Sequence, residues 1–236
     1  MRLFALQAFI FLLGFRVLIG VHAGPVHELR ITEFVQEERT LDSRAPTYAV
    51  ELEQVGQVQD TFAGTKILPG VFAIPFTDQK VQEAAKATFD LWDSKQRFPN
   101  QLLLVAVVAV PGHGLAAGTI WHGMDETFKE YAQNDAPKLW TLAQRQGNRG
   151  GISQSLWHAE VVASWVAEKS FPDGKEGARW PAGTKVAVYG RWTDKDAEEK
   201  GEIVTGYKPV CAVGSTGNRI PCATLMSAQR ISIVNP

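Results

Sequence analysis

Residues 102–110 read LLLVAVVAV and run straight into the turn Pro111-Gly112-His113-Gly114. A half-exposed strand would alternate apolar and polar residues. An unbroken apolar run of this length, stopped by Pro and Gly, predicts a strand buried on both faces. It falls well short of the roughly 20 apolar residues that a membrane-spanning helix needs. A strand covered on both faces needs helices above and below it, and the flanking sequence supplies them.

Upstream, Thr77-Asp78 offers a cap. Val81, Ala84, Ala85, Thr88, Leu91 and Trp92 then recur at helical spacing, which predicts a helix over Asp78 to Arg97, ended by Phe98-Pro99-Asn100. Downstream, Thr119 to Met124 reads as the second strand of a hairpin. Asp125 to Gln146 is helical but interrupted at Pro137, which predicts two short helices. Gly147 to Gly151 is a glycine-rich loop. His158 to Lys169 carries Val161, Val162, Trp165 and Val166 on one face and reads as a helix.

A Pro- and Gly-containing loop, Phe171 to Gly183, leads to a strand at Lys185 to Trp192 and a charged connector at Asp194 to Lys200. Ile203 to Val213 reads as two short strands around Gly206, and Gly214 to Arg219 as a loop. A short helix at Cys222 to Arg230 and a last strand at Ile231 to Val234 close the chain. Helix, Phe-Pro, strand, turn, strand at Val81 to Met124 is echoed in pattern at Val161 to Tyr207. The expected fold is α/β, a single mixed sheet flanked by helices in three layers, over residues 66–236.

The first residues set the compartment. Arg2 precedes the apolar run Leu3 to Phe15. Arg16 interrupts that run, and Val21-His22-Ala23 has the small-x-small form of a cleavage site. This is the pattern of a secretory signal peptide over 1–23, and a soluble, extracellular protein is expected. Residues 24–65 are polar and read as a leader or pro-segment, with Arg39 and Arg44 as processing points. Removal of Arg2 and Arg16 takes the formal charge from -1 to about -3. No strongly basic surface is expected, so nucleic acid is not favoured as a partner. The host or target molecule stays open, and no membrane span remains after signal removal. Composition, 45% hydrophobic and 21% charged, excludes wholesale disorder.

Two features carry chemistry. His158-Ala159-Glu160 opens one helix, and Pro221-Cys222 opens another. A zinc deaminase holds its metal with a His and cysteine thiolates. It keeps a Glu off the metal to move protons between the activated water and the base, with the signature H-x-E…P-C-x-x-C. Helix N-termini favour the thiolate form of cysteine.

From about Asp78 to Asn235 the chain resembles the cytidine-deaminase-like superfamily, nearest its secreted toxin-type members. The order helix, hairpin, HAE helix, strand, PC helix, strand carries the resemblance, with Ile231-Ser232-Ile233-Val234 at the end. It implies a zinc site of His158, Cys222 and a third ligand, with Glu160 as proton shuttle. The superfamily's second cysteine position holds Leu225, and Cys211 is the residue able to replace it.

The cysteines admit two exclusive readings. In an oxidising compartment Cys211 and Cys222 are expected to form one disulfide, which is the preferred reading and leaves no cofactor. If both are thiolates instead, zinc is expected. A second passage is similar to the small fungal guanyl-specific ribonucleases and ribotoxins: Glu168, Phe171 to Gly174, Lys185 to Tyr189, Gly201-Glu202-Ile203, Gly217-Asn218 and Cys222. There Gly206 or Tyr207 stands where a second His belongs, and Lys185 where Arg is usual. The favoured expectation is a secreted effector- or toxin-type protein on a deaminase-like fold, its activity left open. The alternatives are an active zinc-dependent base or nucleotide deaminase and a ribonuclease-like secreted effector. Trp157, beside His158, is expected to pack in the core, with stacking on a flipped base as the alternative. His113 is expected to be exposed in its turn, and His122 to be a packed or edge residue.

Overall fold

The computed structural model describes residues 48–58, 60–68, 76–95, 102–123, 125–147, 158–174, 176–177, 179–193, 202–211 and 222–236. The elements are β1 (Glu53–Gln54), β2 (Phe62–Ile67), α1 (Asp78–Lys95), β3 (Leu103–Val110), β4 (Gly114–Thr119), α2 (Asp125–Asp135), α3 (Pro137–Gly147), α4 (Ala159–Ser170), β5 (Lys185–Thr193), β6 (Ile203–Tyr207), α5 (Cys222–Ala228) and β7 (Ser232–Ile233). A 3-10 turn, Pro172–Gly174, follows α4.

The strands form one mixed sheet in the order β1-β2-β4-β3-β5-β6. β3 pairs antiparallel with β4 on one side and with β5 on the other. The outer edge of β5 is shared. β6 runs antiparallel along its C-terminal half, and β7 pairs in parallel with Lys185 and Val186 at its start.

The apolar run sits at the centre of this sheet, and its alternation divides the core. Val105, Val107 and Ala109 face α1, whose Val81, Ala84, Ala85, Phe89 and Trp92 pack onto them. Ala106, Val108 and Val110 face the other way, into a cluster with Phe128, Leu139, Trp140, Val162, Trp165, Leu225 and Met226 from α2, α3, α4 and α5. The result is three layers, helix over sheet over helices. α1 starts where expected, with Thr77 Oγ1 accepting the backbone N–H of Lys80 at 3.3 Å.

α4 lies close on the sheet. A Cβ at Gly118 of β4 would stand 2.7 Å from Val162 Cγ1 and 2.8 Å from the Ala163 nitrogen, so only glycine lets the helix settle there. Consistent with that depth, residues 159 to 168 of α4 are all buried. The helix runs from its N-terminus near Ile120 toward the β3–β4 turn, where the His113 ring meets Phe171 at 5.7 Å. His113 is therefore half-buried packing rather than an exposed turn residue.

Several expectations are corrected. The leader assigned to 24–65 belongs to the fold from residue 48 onward. β2 pairs with β4 from Ala63 to Ile67, Val50 is 1% exposed, and its N–H donates to Thr88 of α1 at 3.0 Å. The second hairpin strand starts directly at Gly114 and ends at Thr119, because the turn is tight: His113 N–H donates to the Val110 carbonyl at 3.1 Å. Ile203 to Tyr207 forms one strand, β6, because Gly206 pairs within the ladder opposite Gly190 instead of breaking it, and Ala212 and Val213 lie outside the described residues. The two helices either side of Pro137 are present. The signal segment, Trp157, the Asp194–Lys200 connector and the Gly214–Arg219 loop lie outside the described residues. No helix among the described residues is long and apolar enough to cross a membrane.

Candidate metal centre

His158 is the N-cap of α4. Its backbone is extended, with φ -66° and ψ 162°, and its side chain makes no capping hydrogen bond. Its carbonyl starts the helix by accepting the N–H groups of Val161 and Val162 at 3.0 and 3.1 Å. The imidazole Nδ1 lies 3.2 Å from Cys222 Sγ and 3.7 Å from Cys211 Sγ.

Cys222 is the first residue of α5 and is 1% exposed. Cys211 follows β6 and is half-buried. Two backbone bonds clamp the pair of segments: Cys222 N–H donates to Cys211 Sγ at 3.1 Å, and Ala223 N–H to the Cys211 carbonyl at 3.3 Å. The expected Cys211–Cys222 disulfide is not formed; both cysteines are free. The two sulfurs converge on one imidazole nitrogen instead of bonding to each other.

The three donor atoms, one nitrogen and two sulfurs, all lie within 4.8 Å of one another. Zinc bonds of about 2.3 Å to sulfur and 2.0–2.1 Å to nitrogen at a tetrahedral angle imply N···S edges of about 3.6 Å. The observed 3.2 and 3.7 Å bracket that edge. The donor set is soft and contains three groups, the number a catalytic zinc takes from protein while leaving a fourth position open. The residues present therefore fit a metal ion.

The electrostatics agree with this geometry. The Cys211 thiol is pushed down to about 4, first by the hydrogen bond it receives from Cys222 and further by His158. Cys222 is pushed up by donating that bond and by burial.

Glu160, in the first turn of α4, is 6% exposed. Burial pushes its carboxyl above the ordinary range, against its own backbone N–H and the charges of His158 and Lys208. A buried carboxyl whose pKa is raised, two residues from a candidate metal ligand, suits proton transfer.

A cavity of about 370 Å³ is lined by Leu102, Leu104, Ile120, His122, Trp192 and Lys208 among others. The charge of Lys208 favours the ionised form of Glu160, against the larger effect of burial. The Lys208 ammonium also stands 5.0 Å from the Trp192 ring centre. Sequence reasoning missed these residues, because they come from four separate segments and no local spacing joins them. A second cleft, of about 890 Å³, is lined by Val58, His122, Tyr131, Asp135 and Lys169 among others, and neither described cysteine lines it.

Of the ribonuclease-like residues, Gly201, Gly217 and Asn218 lie outside the described residues, and Glu168 and Lys185 are held in separate places. Glu168 is buried and accepts the N–H groups of Lys138 and Leu139 at 2.8 and 3.1 Å, capping α3. Lys185 pairs with Asp78 of α1, on the opposite face of the sheet. Leu225 is fully buried in the core.

No family model matches the chain, and no curated protein and no solved structure is similar to it.

Proposed function

We propose that the chain is a secreted, zinc-dependent deaminase that removes the exocyclic amino group of a heteroaromatic base or nucleotide. One observation carries the reading: two free cysteines from different segments meet the Nδ1 of a histidine two residues before a buried glutamate. The element order around them, α1, the β3–β4 hairpin, α4, β5, α5 and β7, is the order on which the resemblance to the cytidine-deaminase-like superfamily rests.

His158, Cys211 and Cys222 would hold the zinc. When bound, zinc supplies activation of a water molecule for attack at neutral pH. The protein does the rest. Glu160 takes the proton from the attacking water and gives it to a ring nitrogen beside the carbon that carries the amino group. It then moves the second proton to the departing amine, which leaves as ammonia. Water and amine become carbonyl and ammonia, and Glu160 ends as it began. Its burial keeps the carboxyl ready to hold a proton between the two transfers. The cavity beside Lys208 and Trp192 gives the ring an apolar place to sit.

A non-catalytic effector on the same fold is the second reading, favoured by Leu225 at the superfamily's cysteine position. Zinc-loaded full chain incubated with cytosine- and adenine-containing bases, nucleosides and nucleotides separates the two. The deaminase reading expects release of ammonia, lost on Glu160→Gln while zinc is retained. Zinc binding without ammonia from any of these substrates would leave the effector reading standing.

A further inference from the structure

Oxidation and metal binding compete for the same two sulfurs, Cys211 Sγ and Cys222 Sγ. The structure gives both a place. Cys211 and Cys222 lie eleven positions apart, are free, and belong to segments clamped together by the Cys222 N–H to Cys211 Sγ and the Ala223 N–H to Cys211 carbonyl bonds. Their sulfurs lie within 4.8 Å of one another. A disulfide needs about 2.05 Å. One step between staggered χ1 wells moves a sulfur by about 3 Å, a displacement comparable with that gap. The two cysteines also differ in access, Cys211 being half-buried and Cys222 1% exposed.

We propose that the centre is a redox switch: a low-molecular-weight disulfide oxidises Cys211 and Cys222 to an internal disulfide, and the metal leaves. This rests on the zinc reading above. The Cys211 thiolate attacks one sulfur of glutathione disulfide, forming a mixed disulfide and expelling one glutathione thiolate. The Cys222 thiolate then attacks the Cys211 sulfur and expels the second. Two protein thiolates are oxidised by two electrons, and one glutathione disulfide is reduced to two thiolates. Zinc, left with His158 alone, departs as the hydrated ion. Cys211 makes the first attack because it is the exposed partner, and Cys222 resolves because its backbone already holds the Cys211 sulfur. The reverse exchange, with a thiol reductant and zinc, restores the centre.

The test uses the reduced full chain, its zinc content measured first, then glutathione disulfide in the presence of a chromophoric zinc chelator. The expected result is one zinc released per chain, with both thiols lost on denaturation and a mass lower by two hydrogens. Cys222→Ser should stop at a stable glutathione adduct on Cys211, and Cys211→Ser should form neither disulfide nor a rapid adduct. A chain that binds one zinc but keeps it, with both thiols titratable under conditions that oxidise the zinc-free chain, overturns the switch and leaves the metal centre intact. So does a persistent glutathione adduct on the unsubstituted chain. A reduced chain that takes up no zinc fails at the first measurement, and takes the metal reading with it.

Discussion

His158 gives one nitrogen to two sulfurs, while its backbone starts α4. Removing any of the three donors leaves two, too few for a catalytic zinc. His158→Ala and Cys222→Ser are therefore each expected to abolish stoichiometric zinc binding, read by equilibrium dialysis of the reduced protein. Glu160→Gln should leave zinc content unchanged and lower turnover by roughly 10²-fold or more, the scale of a lost general acid–base. Loss of zinc in that variant would mean that Glu160 holds the metal rather than moves protons. Much of this site was legible. The spacing of His158 and Glu160 and the Pro-Cys at 221–222 marked both helix starts before any fold was known. The state of the cysteines was not legible, because sequence gives the compartment and the parity of the cysteines but not where each sulfur points. Lys208 and Trp192 were invisible for a related reason: the pairing of β5 with β6, not local spacing, brings them together.

At the scale of elements, two contacts decide where α4 carries His158. Gly118 lets α4 rest on the sheet, with no space for a side chain between it and Val162. Gly118→Val should destabilise the protein by about 1–3 kcal/mol, as overpacking does, and should weaken zinc binding by shifting the helix. Chemical denaturation and zinc titration of one preparation test both effects. At the far end of α4, Glu168 caps α3 by accepting two backbone N–H groups. Glu168→Ala leaves those donors buried and unpartnered, with an expected loss of about 1–3 kcal/mol measured by denaturation. Ribonuclease-like chemistry would instead predict a loss of activity without a loss of stability. The hairpin, α1 and the Pro137 interruption were readable from periodicity and breakers. The early strands at 48–67 were not. Their polar residues are those of an edge, and membership of the sheet depends on pairing with β4, more than 45 positions away.

At the scale of the molecule, the metal group joins three stretches of chain distant in sequence: the start of α4, the end of β6 and the start of α5. A ligand held only by the folded state stabilises it, by about 2.7 kcal/mol at a concentration a hundredfold above its dissociation constant. For a domain of this size that corresponds to a rise in Tm of roughly 5–10 °C. Thermal unfolding of the reduced protein with zinc and with a chelator should show that difference, and Cys222→Ser should show none. The three-layer architecture itself followed from the run at 102–110, since a strand buried on both faces admits few arrangements.

X-ray absorption at the zinc edge of the reduced, one-to-one loaded full chain tests the central claim most directly. The account predicts two sulfur neighbours at about 2.3 Å, one imidazole nitrogen at about 2.0–2.1 Å and one further light atom. A shell of nitrogen and oxygen alone, or a chain that retains no zinc after dialysis, would contradict it.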